Sequence, residues 1–168
     1  ILLRSHKLTD SEVSKSISAI ARCGAGTNNI PVDKMTSRGI PVFNTPGANA
    51  NSVKELVLCS LFLSSRDIIG GIEHIQDLTY YQGFSFASSR IEKDKKLFAG
   101  KEVKGKTLGV IGLGSIGSQV AMAGCSLGMK VIGYDPELTV ESALNLDGNK
   151  IKCVNDLESC IDSADYIS

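Results

Sequence analysis

The chain has 168 residues, 42% apolar and 21% charged, with eighteen basic and eighteen acidic side chains. That balance excludes a disordered chain, and zero net charge gives no overall pull toward nucleic acid or an anionic membrane. The length allows one ordinary domain or two small ones.

Charge is nonetheless uneven. Arg90 to Lys106 holds seven basic and three acidic residues, and Asp135 to Ser168 holds eight acidic and two basic. Such runs read as solvated faces. Five cysteines, Cys23, Cys59, Cys125, Cys153 and Cys160, form no C-x-x-C pair and sit mostly in apolar surroundings. They read as buried thiols of a reducing compartment, the cytoplasm. With only His6 and His74 available, no metal site is expected. The apolar run Leu56 to Leu63 is too short to span a bilayer, and no leader-like segment stands out. An apolar start at Ile1 and a strand-like end at Tyr166 to Ser168 read as a piece of a longer protein.

Strand and helix signals alternate, which predicts an α/β architecture. Ile1–Leu3 reads as a short buried strand, and Thr9 with Glu12 has capping-box spacing that opens a helix toward Lys15. Ile17–Cys23 is the next strand, ended by Gly24 to Gly26. Pro31 and Gly39 bracket a short helix, and Ile40–Asn44 is a third strand. Ser52 with Glu55 is a second capping box, opening a helix to about Asp67 that is apolar on more than one face. Residues 80–96 lack a clean period and read as the crossover between domains. Thr107–Ile111 is a strand, and the helix after it places Ile116, Val120, Ala123 and Leu127 at helical spacing until Gly128. Val131–Tyr134 and Ile151–Val154 read as strands, and Asp156–Ala164 as a helix feeding a final strand.

The most informative stretch is Gly112-Leu-Gly114-Ser115-Ile116-Gly117. It matches G-x-G-x-x-G between a strand and a helix, where backbone amides and the helix N-terminus can hold a pyrophosphate. The next strand ends in Asp135-Pro136, eighteen residues past Gly117, where a carboxylate meets the adenosine ribose hydroxyls. That carboxylate repels a 2′-phosphate, and no Lys or Arg occurs from Pro136 to Asn149, so NAD is favoured over NADP.

Three strings then point one way: ARCGAGTNNIPVDKMTSRGIPVFNTPGANANSVKELV, GKEVKGKTLGVIGLGSIG and KVIGYDP. In order and spacing they resemble the D-2-hydroxyacid dehydrogenases over essentially the whole chain. The nearest likeness is to the branch that oxidises 3-phospho-D-glycerate to 3-phosphohydroxypyruvate with NAD, in serine biosynthesis. The resemblance implies a partial flavodoxin-like substrate domain over 1–96, followed by the first part of an NAD-binding Rossmann domain over 97–168. It assigns substrate-carboxylate binding to the amides of Ala25 and Gly26, although an ordinary strand-ending turn is the other reading. It places Asn49 near substrate and nicotinamide, against a plain turn residue before a helix. Arg4 and Ser5 match a pair that contacts a substrate phosphate, against a surface arginine at a strand end. Lys96 is a weaker phosphate neighbour among several lysines. Within the glycine motif, Ser115 stands where many relatives carry arginine.

The resemblance also says what to expect outside the chain. The family's catalytic arginine, glutamate and histidine would follow Ser168, so no catalytic residue is assigned here and the piece alone should not turn over substrate. His74 reads as a surface or interface residue, and His6, next to Arg4 and Ser5, as a neighbour of a substrate phosphate with nothing to orient it as a base. The substrate is expected to be a small phosphorylated hydroxy acid, with neither nucleic acid nor membrane as partner. The Leu56–Leu63 helix suggests a homodimer or higher homo-oligomer, with burial within the chain between domains as the other reading. The competing readings are a glyoxylate/hydroxypyruvate reductase, a D-lactate-type enzyme, or a non-catalytic NAD-sensing module like the corepressors of this fold.

Overall fold

The strands pair only in parallel within the residues described by the computed structural model, 1–138, 146 and 150–168. Two compact units result, Ile1–Val53 and Lys54–Ser168. The division falls inside one helix, α2 (Ala50–Ser65).

In the first unit the strands β1 (Leu2–Leu3), β2 (Ile20–Arg22) and β3 (Val42–Phe43) lie side by side in chain order. Parallel neighbours need long connections. The one from β2 to β3 carries α1 (Val32–Ser37). Leu8, Val13, Ile20, Ile30, Met35 and Ile40 form the core beneath. Here the strands are shorter than the apolar runs predict. Ile17 and Ile40 belong to the buried cluster yet lie outside the ladders, so burial rather than strand pairing holds them.

The helix expected from Thr9 to Lys15 is corrected to a single 3₁₀ turn, Asp10–Glu12, with Val13 already extended. The cap chemistry is present. Glu12 Oε2 accepts both the amide and the hydroxyl of Thr9 at 2.7 Å. Where the turn ends, Arg38 ties the chain down from α1's end. Its guanidinium donates to the carbonyls of Asp10, Val13 and Ser14, and to Asp10 Oδ1 at 2.7 Å.

The second unit begins with the remainder of α2, followed by α3 (Ile68–Gln82) and α4 (Phe84–Asp94). α2 starts at Ala50, so Ser52 sits in its first turn and not at the cap. Residues 80–96, aperiodic in sequence, are largely helical. What joins α3 to α4 is a buried carboxylate. Asp94, 5% exposed, accepts from Arg90 Nε at 3.1 Å and Nη2 at 3.0 Å, and its Oδ2 lies 3.0 Å from His74 Nε2. Those bonds hold the Asp94 carboxyl below the usual range, Arg90 first and His74 second.

After this hairpin come β4 (Thr107–Ile111), α5 (Gly117–Ser126), β5 (Lys130–Tyr134), β6 (Ile151–Cys153), α6 (Leu157–Asp162) and β7 (Tyr166–Ile167). The sheet order is β6-β5-β4-β7, the 3-2-1-4 order of a Rossmann sheet. Leu108, Val110, Val120 and Val131 pack between β4, β5 and α5, each no more than 3% exposed. Burying such a side chain contributes about 1.5–3 kcal/mol. Asp165 fixes the register of β7, since its Oδ2 accepts Thr107 N–H at 2.8 Å and its own amide donates to Thr107 O.

The expectation of buried thiols is corrected for Cys23, Cys59 and Cys153, which are exposed, while Cys160 is buried and Cys125 half-buried. Cys153 follows the inward Ile151 on an outer strand, and only Ile151 reaches the core. Among the described residues no helix is long and apolar enough to cross a membrane.

The Thr9 bonds, with His6 adding less, pull Glu12 from 4.5 down to about 2. A lowered carboxyl supports the fold fully above its unfolded value, and that support is lost as pH falls through the folded one. We therefore expect Glu12→Gln to flatten the loss of thermal stability between about pH 5 and about pH 2, followed by circular dichroism. An unchanged acid profile would contradict the assignment.

Candidate functional site

At the carboxyl end of β4 the chain must turn sharply into α5, and the glycines make this possible. Gly112 has φ +88°, a conformation that side chains with a Cβ rarely adopt. Its amide donates to Tyr134 O at 2.7 Å, closing the loop onto the end of β5. At Gly117 a Cβ would fall 1.8 Å from the carbonyl oxygen of Gly112, so no side chain fits. Gly114 differs from both: a Cβ there meets nothing within 4 Å, and the residue faces open space.

Asp135 completes this arrangement. Its Oδ2 accepts Leu113 N–H at 2.8 Å, and its Oδ1 accepts Glu137 N–H at 2.9 Å across the exposed Pro136. An ionised carboxylate offers about four acceptor positions, so two remain for hydroxyl groups of a ligand. The side chain is thereby aimed at the glycine loop. Most of the 136–149 stretch, whose lack of basic residues bears on NAD against NADP, lies outside the described residues.

The amides of Ser115, Ile116 and Gly117 have no partner among the described residues. They stand at the N-terminus of a ten-residue helix, where the macrodipole favours an anion. The Ser115 side chain is exposed beside them. Leu113 N–H, by contrast, is committed to Asp135. An open face at Gly114, free amides and a fixed carboxylate together fit a dinucleotide. A larger hollow of about 450 Å³, lined in part by Lys130, Lys150, Lys152 and Ser163, opens at the start of the strands, the opposite end from the glycines. In α/β sheets ligands seat at the carboxyl ends, so the glycine end is the better candidate.

In the first unit two loops leave neighbouring strands at the same end. Leu3 pairs with Arg22, and Cys23 N–H donates to Leu3 O, so Arg4 continues opposite Cys23, one residue before Gly24. The amides of Ala25 and Gly26 are exposed and without partner among the described residues. Three contacts hold their loop: Gly24 N–H to Thr45 Oγ1 at 2.7 Å, Thr45 N–H to Gly24 O, and Asn44 Nδ2 to Ala25 O at 2.7 Å. Arg4 and Ser5 are exposed, and the Arg4 guanidinium has no partner among the described residues. Asn49 is the exposed last turn residue before α2, and its carbonyl accepts Val53 N–H. The supporting roles of Asn44, Thr45 and Arg22, whose guanidinium lies against Gly24, carry no sequence pattern that would have revealed them. Both histidines are committed elsewhere, His6 to Glu12 and His74 to Asp94. Lys96 is exposed in a 3₁₀ turn after α4.

Comparison with known proteins agrees with this geometry. The sequence profile of the D-isomer specific 2-hydroxyacid dehydrogenase NAD binding domain matches residues 72–168. The chain is 36% identical over 157 residues to D-3-phosphoglycerate dehydrogenase of Methanocaldococcus jannaschii, covering 94% of the chain and 27% of that protein. It is 40% identical over 125 residues to hydroxypyruvate reductase of Thermotoga maritima, covering 74% and 37%. The structure of D-lactate dehydrogenase from Aquifex aeolicus, complexed with NAD and lactic acid, superimposes with a TM-score of 0.69 at 28% identity, covering 99% and 46%. The chain thus spans well under half the length of each of these relatives.

Charge-assisted hydrogen bonds of the kind Asp135 offers are worth about 1.5–3 kcal/mol. Asp135→Ala is expected to raise Kd for NAD about 10–100-fold and to weaken NADP much less, read by titration calorimetry. Equal losses for both dinucleotides would remove Asp135 from the ribose site.

Proposed function

The chain belongs to the D-isomer specific 2-hydroxyacid dehydrogenases, and from that premise we propose that it supplies the cofactor loop and the substrate-anion loops of an NAD-dependent enzyme oxidising a D-2-hydroxy acid. The observation that carries this reading is Asp135 held against a glycine loop whose following amides have no partner among the described residues. NAD, when bound, accepts the hydride that leaves the substrate's C2.

The chain's own residues bind and orient. Amides of Ser115, Ile116 and Gly117 take the diphosphate, with Ser115 Oγ as a further donor in place of the guanidinium many relatives carry, and Asp135 and Pro136 border the ribose. Gly112 and Gly114 shape the turn beneath. In residues 1–96, the substrate domain of this reading, Ala25 and Gly26 amides take the substrate carboxylate and Asn49 lies beside the reacting carbon. Residues 97–168 form the cofactor part. The groups that remove the hydroxyl proton and polarise the nascent carbonyl belong to other segments of the longer enzyme.

The substrate proposed is 3-phospho-D-glycerate, because the Arg4 guanidinium is exposed and unpartnered next to Ser5. A planar fork of donors suits a phosphate dianion. Hydroxypyruvate, glyoxylate or D-lactate is the second reading, favoured by the likeness to a hydroxypyruvate reductase. Assembly as a homodimer is supported by exposed apolar side chains on α2, α3 and α4. Leu56, Ile69, Tyr81 and Phe84 are 58–77% exposed, and apolar side chains on the surface of these helices suit a subunit contact. Unbridged, exposed Cys23, Cys59 and Cys153 suit the reducing cytoplasm.

The test is steady-state kinetics of the full-length protein with NAD. Arg4→Ala should raise KM for 3-phospho-D-glycerate about 10–100-fold and change KM for D-lactate little. An equal effect on both acids would refute the phosphate assignment.

A further inference from the structure

Between the two anion loops of the first unit lies one side-chain amide. Asn29 Nδ2 donates to the carbonyl of Arg4 at 3.2 Å and to that of His6 at 2.7 Å. The backbone carbonyl of Asn29 in turn accepts Leu8 N–H at 2.9 Å. Asn29 therefore grips the chain from Arg4 to Leu8 at three points. Two carbonyl oxygens face the same terminal atom of the amide, and only nitrogen can donate to both, so chemistry fixes its orientation.

Of the segment it grips, only Leu8 at the far end is buried in the core, and Arg4 to Lys7 are exposed. β1 ends at Leu3, and regular structure resumes only at Asp10. His6 does reach Glu12, but through an exposed side chain, 62% accessible. Asn29 itself is well anchored, because Ile30 is buried and its amide closes a turn onto Thr27 O at 2.9 Å. That turn follows directly on Gly26. The amide thus references the position of Arg4 to the loop of Ala25 and Gly26. Asn29 Oδ1 is buried without a partner among the described residues, a cost the fold bears while the nitrogen keeps both carbonyls.

Resting on the reading that Arg4 holds the substrate phosphate, we propose that Asn29 is a positioning residue that sets Arg4 at its working distance from the carboxylate-binding amides of Ala25 and Gly26. It touches no substrate. It acts through the backbone of Arg4, so its contribution exists only while the guanidinium is there to be positioned.

A double-mutant cycle in the full-length protein tests this, with NAD, 3-phospho-D-glycerate and D-lactate as probes. Asn29→Asp keeps the shape and replaces the donor by an oxygen that faces both carbonyls. It should raise KM for the phosphorylated acid about tenfold, while kcat, KM for NAD and KM for D-lactate stay within about threefold. In the Arg4→Ala background the same change should add less than about threefold. An undiminished effect in that background, or equal effects on both acids, would show a merely structural role and overturn the proposal. If Arg4→Ala alone left KM for the phosphorylated acid unchanged, the phosphate reading would fall first, which is a distinguishable result. Should Asn29→Asp fail to fold by thermal melt, Asn29→Ala removes the donor without adding charge, and the same cycle decides.

Discussion

A hydrogen bond from Leu113 N–H to the carboxylate of Asp135 joins the ends of two neighbouring strands at the point where a ligand would enter. Its two partners lie twenty-two residues apart and meet only because β4 and β5 run parallel and in register, with Ile111 opposite Tyr134. That register depends in turn on the packing of Val110, Val120 and Val131, and on Gly117 admitting the helix close to Gly112. Core packing therefore determines where the Asp135 carboxylate stands. Among the described residues no such carboxylate reaches the amides of Ser115 to Gly117.

The first unit solves a related problem with less material. Its strands are two or three residues long, so side chains supply the order that a longer ladder would give. Thr45 and Asn44 hold the loop of Ala25 and Gly26, Asn29 holds Arg4, and Arg38 gathers the carbonyls of the 3₁₀ turn. These contacts are polar and mostly exposed, and each net bond is worth about 1 kcal/mol. Their worth lies in geometry more than in stability, since an anion held by amides and a guanidinium needs both at fixed separation.

Legibility from sequence followed the same division. β4, α5 and β5 could be read almost to the residue, because buried strands, a glycine turn and a helical stripe each leave a strong local signal. Gly112, Gly114, Gly117 and Asp135 were visible for the same reason. Helix α4 was not, because its apolar residues are few and its placement depends on Asp94 reaching Arg90 and His74, the latter a contact twenty residues distant. The helix expected after Thr9 had a correct cap yet stops after one 3₁₀ turn, where Arg38 from a distant part of the chain donates to the carbonyls of Asp10 and Val13. Asn29 lay in plain view within the string that carries the family resemblance, yet its two bonds to residues near the chain's start have no sequence signature.

The most direct measurement is an NMR titration of NAD into the isotope-labelled 168-residue chain. If the glycine end is the cofactor site, the amides of Leu113, Ser115, Ile116 and Gly117 shift together and saturate, and Asp135→Ala moves saturation to about 10–100-fold higher NAD. Shifts confined to residues around Lys130, Lys150 and Lys152, with the glycine loop unmoved in a folded spectrum, would contradict the account.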